Sequence, residues 1–505
     1  MGRFGLKVRA LRNLAGDTRL ALGRGVTLDL PEVGESAGGD LPPQPDLPTL
    51  IASYPAASNA GKTATVGDSL YIASDGLWRS LPAPAANDYV TTKMWTILGS
   101  DQTAASAFGW TSGDTRTTFC VSLEVEVDEV DAIAFVLANR ATSGAAQITG
   151  MTVAQCPAWD SYGNNANFSG NQKAVTFSGG KSTLTMAAAS GVSTGNGYTD
   201  IDWYITDFVP LYAVASARTD GGQRAAITVR TEYATTTGSE KITTWAAGST
   251  GWGGTGKDDL GRFMFPGFSH GTGTQLTGAF SGAQSTTIAN NIFGVLVRSK
   301  RRGMTFITVG DSNDAGSQLP SYQRGYPMQA AIAMTTSTSP VGFVNCGMPG
   351  ATTQQFTYLG NKLLTALDAV GACPHIAVFN GFTPNDHSAT GVLVTTLGMP
   401  RSGVVAFLAL CKKLGIKALL RNGIPRNNGA GGTDWDAAMD ARRLTANTGL
   451  TSYGPPVLDF NGVCNDGGTP QHLKAGTYVD GLHANQATQV VWGNLLTDAI
   501  SKYRP

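Results

Sequence analysis

The hydrophobic pattern changes its period once, near residue 304, and that change divides the chain between two architectures. From about Tyr89 to Arg298, runs such as TTFCVSLEVEV, AIAFVLANR, AAITVRTEYA and NIFGVLVRS alternate apolar and polar residues over strand lengths. Turns rich in Gly, Ser, Thr and Asn separate them, a pattern that predicts an all-β sandwich or jelly roll. SKRRG (Ser299–Gly303) then reads as a solvated junction. Beyond it, apolar strand-length runs (MTFITVG, HIAVFNGF, GIKALLRNG) alternate with helix-like stretches such as TQQFTYLGNKLLTALDAVG, VVAFLALCKKLG and DWDAAMDARRLTANT. Alternation of this kind predicts an α/β/α domain: a mainly parallel sheet covered on both faces, with reacting groups at the carboxyl ends of its strands.

Upstream of residue 89, GESAGGDLPPQPDLP (Gly34–Pro48) reads as a stiff spacer, because four prolines push it toward polyproline II. TATVGDSLYIASDGLWRSL (Thr63–Leu81) then carries a hairpin signal at Ser74-Asp75-Gly76. The expected organisation is therefore residues 1–48 as an N-terminal segment and linker and 49–88 as a small β unit. Residues 89–303 form the β domain, and 304–505 the α/β/α domain.

Charge excludes some functions. Only 14% of the 505 residues are charged, against about 25% in an average soluble domain. The 36 basic and 36 acidic residues cancel. Such a surface has no field to steer it to nucleic acid or an anionic membrane, and it suits a neutral glycan. No run approaches the roughly 18 apolar residues of a membrane span, and MGRFGLKVRALRNLAGD lacks the apolar core of a signal peptide. The chain thus reads as one built for an extracellular task without a secretion address. Its six cysteines show no metal-ligand spacing, so neither a disulfide framework nor a structural metal is expected.

Four segments after residue 304 carry chemistry. Gly310-Asp311-Ser312 follows an apolar strand directly, where a glycine permits a tight turn and a following helix offers its N–H groups to negative charge. VNCGMPGATT contains Gly347 and Gly350, AVFNGFTPND ends in Asn385-Asp386, and YVDGLHAN holds Asp480 and His483. A serine hydroxyl needs a base, which His483 can supply, and a carboxylate such as Asp480 can fix the tautomer of that base. A second Gly-Asp-Ser, Gly67-Asp68-Ser69, has no following helix pattern and reads as a turn.

The order of these blocks (GDS, N-x-G-x-x-G-x-T, ND, D-x-x-H) resembles that of the SGNH (GDSL-type) serine esterase family over Met304–Pro505. The resemblance implies a flavodoxin-like SGNH-hydrolase domain with Ser312 as nucleophile, His483 as base and Asp480 as its partner. It also implies an oxyanion hole formed by the backbone N–H groups of Ser312 and Gly350 and the side-chain amide of Asn385. It implies no metal or organic cofactor. Asp311, Asp386 and His387 are expected to line the pocket. One departure stands out: the family pattern G-x-N-D requires glycine where this chain has Thr383. Of the other histidines, His375 reads as a packing residue at a strand start, and His270 and His472 have no convincing partner.

An esterase preceded by a β domain, a Pro-rich spacer and no secretion signal also resembles bacteriophage tail spikes and tail fibres. That architecture implies attachment to a tail or baseplate protein through the N-terminus, a homotrimer, and a β domain that trimerises or binds glycan. It implies a virion location with action at the host cell surface. Trp110, Trp159, Trp203, Trp245 and Trp252 fall in the β region, with Trp252 the best candidate for stacking on a sugar. Three functions follow: an O-acetylesterase acting on a capsule or O-antigen, a secreted carbohydrate or lipid esterase, and a non-catalytic glycan-binding tail protein.

Overall fold

The computed structural model describes residues 19–22, 26–29, 41–44, 47–59, 62–66, 69–74, 77–81, 89–97, 115–125, 129–139, 144–155, 172–189, 200–217, 223–234, 244–246, 267–284, 287–289, 291–299, 303–319, 325–336, 339–386, 398–430 and 435–503. The chain divides into two units, Met1–Asp88 and Tyr89–Pro505. In the first, strands Leu41–Gln44, Thr63–Val66, Ser69–Ser74 and Leu77–Leu81 form one sheet. Val66 pairs with Ser69 and Ser74 with Leu77, and Ser69, the last residue of the second Gly-Asp-Ser copy, opens a strand.

In the second unit, seven longer strands precede residue 304: β1 (Tyr89–Ile97), β2 (Arg116–Val125), β3 (Glu129–Ala138), β4 (Ala146–Gln155), β5 (Val209–Ala217), β6 (Gln223–Ala234) and β7 (Ile292–Ser299). Strands β2, β4 and β5 pair antiparallel with β6. Strand β3 pairs with β5 and β7, and β7 pairs with β1. The register of β5 shifts between Pro210 and Ala213, and the strand joins both ladders. Buried side chains of the two ladders, Phe135, Phe293, Val153 and Val229 among them, share one core. Ile133 to Ala138 are all fully buried, so this half of β3 has no solvent face and is apolar without a break, whereas Asp131 and Ala132 are half-buried. Trp203 packs edge-on against Phe293 in that core. Trp110, Trp159 and Trp252 lie outside the described residues, as does the side chain of Trp245.

The remainder alternates as its sequence suggests: β8 (Met304–Gly310), α1 (Ser312–Ala315), α2 (Tyr326–Met334), β9 (Val341–Gly347), α3 (Thr353–Ala369), β10 (Ile376–Asn380), α4 (Gly398–Leu414), β11 (Lys417–Arg421), α5 (Ala437–Leu450), β12 (Val457–Leu458), α6 (Phe460–Cys464) and α7 (Gln486–Ser501). Parallel ladders give the order β1–β9–β8–β10–β11–β12. Every residue of β8, β9 and β10 is buried, as expected for strands covered on both faces. On one face, Phe379 stacks on Phe407 of α4 and meets Phe356 of α3 edge-on. On the other, Phe460 of α6 stacks on Trp492 of α7, and Tyr326 of α2 meets Phe460 edge-on.

Strand β1 pairs antiparallel with β7 along one edge and parallel with β9 along the other. Antiparallel and parallel strands therefore run on as a single sheet. The division expected at residue 303 is a change in how strands are connected, from turns to helices, and no sheet edge lies there.

The parallel register sets Gly310 beside Gly347, and the N–H of Met348 donates to the Gly310 carbonyl at 2.9 Å. Helix α1 starts against this pair. A Cβ on Gly347 would run into the backbone of Ala315, and one on Gly310 would meet Asp314 and the Cβ of Asn380. Overpacking against a backbone that cannot yield costs about 1–3 kcal/mol. Gly347→Ala is expected to lower stability by at least about 2 kcal/mol, measured by urea denaturation, whereas Gly371→Ala, on an open turn at positive φ, should cost less.

Candidate active site

Helix α1 exists because its first turn is capped twice. Asp311, the N-cap, accepts the N–H of Asn313 through Oδ1 at 2.9 Å, and Asp314 accepts the N–H of Asp311 at 2.9 Å. This reciprocal capping box stops the strand abruptly and starts the helix within one residue. Ser312 is thereby held at the carboxyl end of β8, 5% exposed.

The turn before α7 brings the other two groups. Asp480 accepts the N–H groups of Leu482 and His483 through Oδ1, at 3.0 and 2.8 Å, folding the chain into a tight Asx-type turn. Its Oδ2 lies 2.7 Å from Nδ1 of His483, and Nε2 of His483 lies 3.0 Å from the Ser312 hydroxyl. With the Nδ1 proton on the Asp480 side, Nε2 is free to accept the serine proton. Partial burial pulls the Asp480 carboxyl upward, but the bonds from the His483 ring and from the two N–H groups override it, leaving its pKa below the ordinary value. Asp480 thus stays ionised as the counter-charge for an imidazolium.

Asn313 fastens the nucleophile turn to the histidine turn. Its Nδ2 donates to the Leu482 carbonyl at 3.3 Å and its Oδ1 accepts the Ala484 N–H at 2.9 Å, so the two residues flanking His483 are both held. Gln489 of α7 donates to the Asn313 carbonyl and accepts the Tyr326 N–H, tying α1, α2 and α7 together.

Beneath the serine is a buried ion cluster. Arg421, 1% exposed at the end of β11, donates from Nε to Asp314 at 2.8 Å. Its Nη2 donates to both Asp314 and Asp311. Tyr326 donates its hydroxyl to Asp314 at 2.6 Å, and Asn380 donates to Asp311 at 3.1 Å. Burial raises the Asp311 pKa, the Arg421 charge opposes that rise, and the neighbouring Asp314 reinforces it. Burial also disfavours the Arg421 cation, yet the two carboxylates outweigh it, so the guanidinium is held more firmly protonated than usual.

The expected oxyanion donors Ser312, Gly350 and Asn385 follow the ends of β8, β9 and β10, respectively. Gly350 is exposed at φ +78°, in the turn after β9. Asn385 donates from Nδ2 to the carbonyl of the next residue, Ala351, at 3.1 Å. Thr383, in the position where glycine was expected, is fully buried. Its hydroxyl bonds Asp311 and accepts the Asn385 N–H at 3.3 Å, linking the nucleophile turn to the Asn385 turn.

Asp311 and Asp386 do not line a pocket as expected. Both are buried, Asp311 on the Arg421 cluster and Asp386 on α3, where it accepts the N–H and hydroxyl of Thr353 at 2.8 and 2.6 Å. A carboxylate beside a free helix N–H is satisfied by turning inward. His387 lies outside the described residues. His375 accepts the Thr305 N–H at 3.0 Å, a packing role, and the His472 ring is 3.2 Å from the Arg426 carbonyl. The strand of His270 pairs with β2. Sequence reasoning missed Asp314, Asn313 and Arg421, and read Thr383 only as a departure from a pattern. Asp314 was detectable as the far half of a capping box, and Arg421 as a charge closing an apolar strand. Among the described residues no group of acidic, His and Cys side chains has metal-site geometry, and Cys120, Cys346, Cys373, Cys411 and Cys464 are free thiols.

No family model and no curated protein sequence matches the chain. Solved structures do resemble it over about two-fifths of its length. A lipase/acylhydrolase from Enterococcus faecalis is 21% identical, covering 40% of this chain and 97% of that one, with a TM-score of 0.31. A GDSL-like lipase from Bacteroides thetaiotaomicron is 18% identical, covering 40% and 90%, TM-score 0.32. The psychrotrophic esterase EstA from Pseudoalteromonas sp. is 16% identical, covering 39% and 97%, TM-score 0.30.

Two outcomes follow from the buried groups. Removing one partner of a buried ion cluster leaves its carboxylates uncompensated, so Arg421→Ala should cost about 3–5 kcal/mol in urea denaturation. Burial, partly offset by the bonds from Thr353, raises Asp386 to about 6. A raised carboxylate contributes stability that is complete below its unfolded pKa, near 3.8, and lost as pH rises through about 6. Asp386→Asn should remove that falling segment from a plot of unfolding free energy against pH.

Proposed function

We propose that this protein is a serine carboxylic ester hydrolase that removes O-acetyl groups from a bacterial surface polysaccharide, capsule or O-antigen, as part of a phage tail spike or fibre. The observation that carries the reading is the relay Ser312–His483–Asp480, with both hydrogen bonds at 3.0 Å or less. Ser312 attacks the acyl carbon while its proton passes to His483 Nε2. The tetrahedral oxyanion is met by the N–H groups of Ser312 and Gly350 and by the Asn385 amide. Collapse breaks the ester C–O bond, and His483 passes the proton to the departing sugar oxygen, which leaves as the free hydroxyl. Water, deprotonated by His483, then releases acetate and restores the serine.

An open site suits a polymer-borne ester. Asp480 is 39% exposed and Gly350 is exposed, so one rim of the triad meets solvent. The near-neutral, weakly charged composition supports a glycan partner, and in this reading the N-terminal segment joins a tail or baseplate protein and the chain assembles as a homotrimer. Its location is the virion.

Acetate release from acetylated polysaccharides of candidate hosts, followed by acetate assay, tests the proposal. Wild type should release acetate, Ser312→Ala should release none, and Asn385→Ala should turn over about 10²–10³ times more slowly. Hydrolysis of short p-nitrophenyl esters or lipids without release from any glycan would point to a secreted carbohydrate or lipid esterase. Tight glycan binding with no hydrolysis would leave the receptor-binding reading.

A further inference from the structure

Ser312 and His483 stand 171 residues apart in the chain, and the proton they exchange tolerates little slack. Transfer needs the two heavy atoms within about 2.6–3.2 Å of one another, and they lie 3.0 Å apart. The bonds inside the histidine turn fix its shape and leave its place open. Asp480 accepts the N–H groups of Leu482 and His483, and Val479 donates its N–H to the His483 carbonyl at 2.9 Å. These partners belong to the turn itself and move with it. Asn427 donates its N–H to the Gly481 carbonyl, which ties the turn to the loop after β11 and not to the nucleophile.

Asn313 supplies the missing restraint. It follows Ser312 directly and is 2% exposed. Its Nδ2 donates to the carbonyl of Leu482 and its Oδ1 accepts the N–H of Ala484, the residues before and after His483. One residue of a parallel β ladder bonds its neighbour strand in the same way, reaching the carbonyl on one side of the facing residue and the N–H on the other. The Asn313 amide therefore imitates a peptide group, with His483 as the residue it faces. The task needs a donor and an acceptor side by side, which a carboxylate or an apolar side chain does not offer. The arm that carries the amide is itself fixed. The Asn313 N–H bonds the Asp311 carboxylate in the cap of α1, and its carbonyl accepts Nε2 of Gln489 from α7.

We propose that Asn313 is a positioning residue for proton transfer, whose side-chain amide sets the separation between the Ser312 hydroxyl and His483 Nε2. The bracket stands on its two hydrogen bonds; its catalytic consequence rests on the esterase reading.

Full-length wild type, Asn313→Ala and the similarly sized Asn313→Leu are compared in p-nitrophenyl acetate hydrolysis and in amide hydrogen exchange at Ala484. Asn139→Ala is the control for lost stability. Asn139, 1% exposed in the β region, donates to the carbonyls of Gly144, Met186 and Ala187, none of which belongs to the turns of the triad. Both Asn313 variants should lose about 10²-fold in kcat with KM within about threefold of wild type, because the restraint serves the proton transfer and not substrate binding. Exchange at Ala484 should quicken about tenfold in the same two variants, the effect of one lost hydrogen bond. Asn139→Ala should keep its kcat and its Ala484 exchange. If Asn313→Ala does not fold, Asn313→Leu, which fills the space without the two bonds, carries the comparison. A kcat within about twofold of wild type in a folded Asn313 variant would overturn the proposal. So would a loss of kcat matched by Asn139→Ala, or unchanged exchange at Ala484. A wild type inert toward every ester, with Ala484 exchange still dependent on Asn313, would sink the esterase reading and the catalytic role with it, leaving the bracket as a contact of the fold.

Discussion

The geometry of the site depends on one guanidinium. Arg421 sits two strands from Ser312, and the parallel register carries it there: Val309 lies beside Phe379, and Asn380 beside Arg421. The ends of β8, β10 and β11 therefore present Asp311, Asn380 and Arg421 at one level. Two carboxylates and one cation buried together are stable only if every remaining lone pair finds a donor. Tyr326, Asn380, Thr383 and two backbone N–H groups provide them. Because Asp311 and Asp314 are also the two halves of the cap on α1, satisfying the ions and fixing Ser312 are the same event.

The loops around that cluster are bonded to one another. Met348 bonds Gly310, Asn385 bonds Ala351, Asp386 bonds the first turn of α3, and Asn313 brackets His483. Ser312 and His483, 171 residues apart in the chain, are held together by short polar links of this kind. Thr383 stands where the pattern the chain resembles has glycine. A glycine at that position could offer no hydroxyl, whereas the threonine adds a bond from each neighbouring turn.

Continuity of the sheet through β1 gives this site a broad support. The antiparallel strands before residue 304 and the parallel strands after it share one buried core. Outside that core, Lys362 of α3 pairs with Asp200 and Asp202, and Tyr358 donates to Asp200, so the two regions are also joined at the surface.

Local patterns determined much of this protein. The change of period at residue 304 announces two kinds of connection, and Ser312, Asp480 and His483 stand in segments whose strand-end and pre-helix settings are readable from neighbours a few residues away. Capping, turn formation and strand burial act over such distances, so composition and spacing carry them. What only the tertiary structure decided are the pairings between remote residues. Arg421 and Arg426 are both charges near the end of one apolar strand, and nothing local distinguishes the one that finds two carboxylates from the one that finds none. Strand β1 reads as part of the β region, yet its edge completes the parallel sheet. Asp311 and Asp386 look like pocket residues and turn inward. In each case the outcome depends on which strand lies alongside and in what register, and that is set by the summed burial of the whole core.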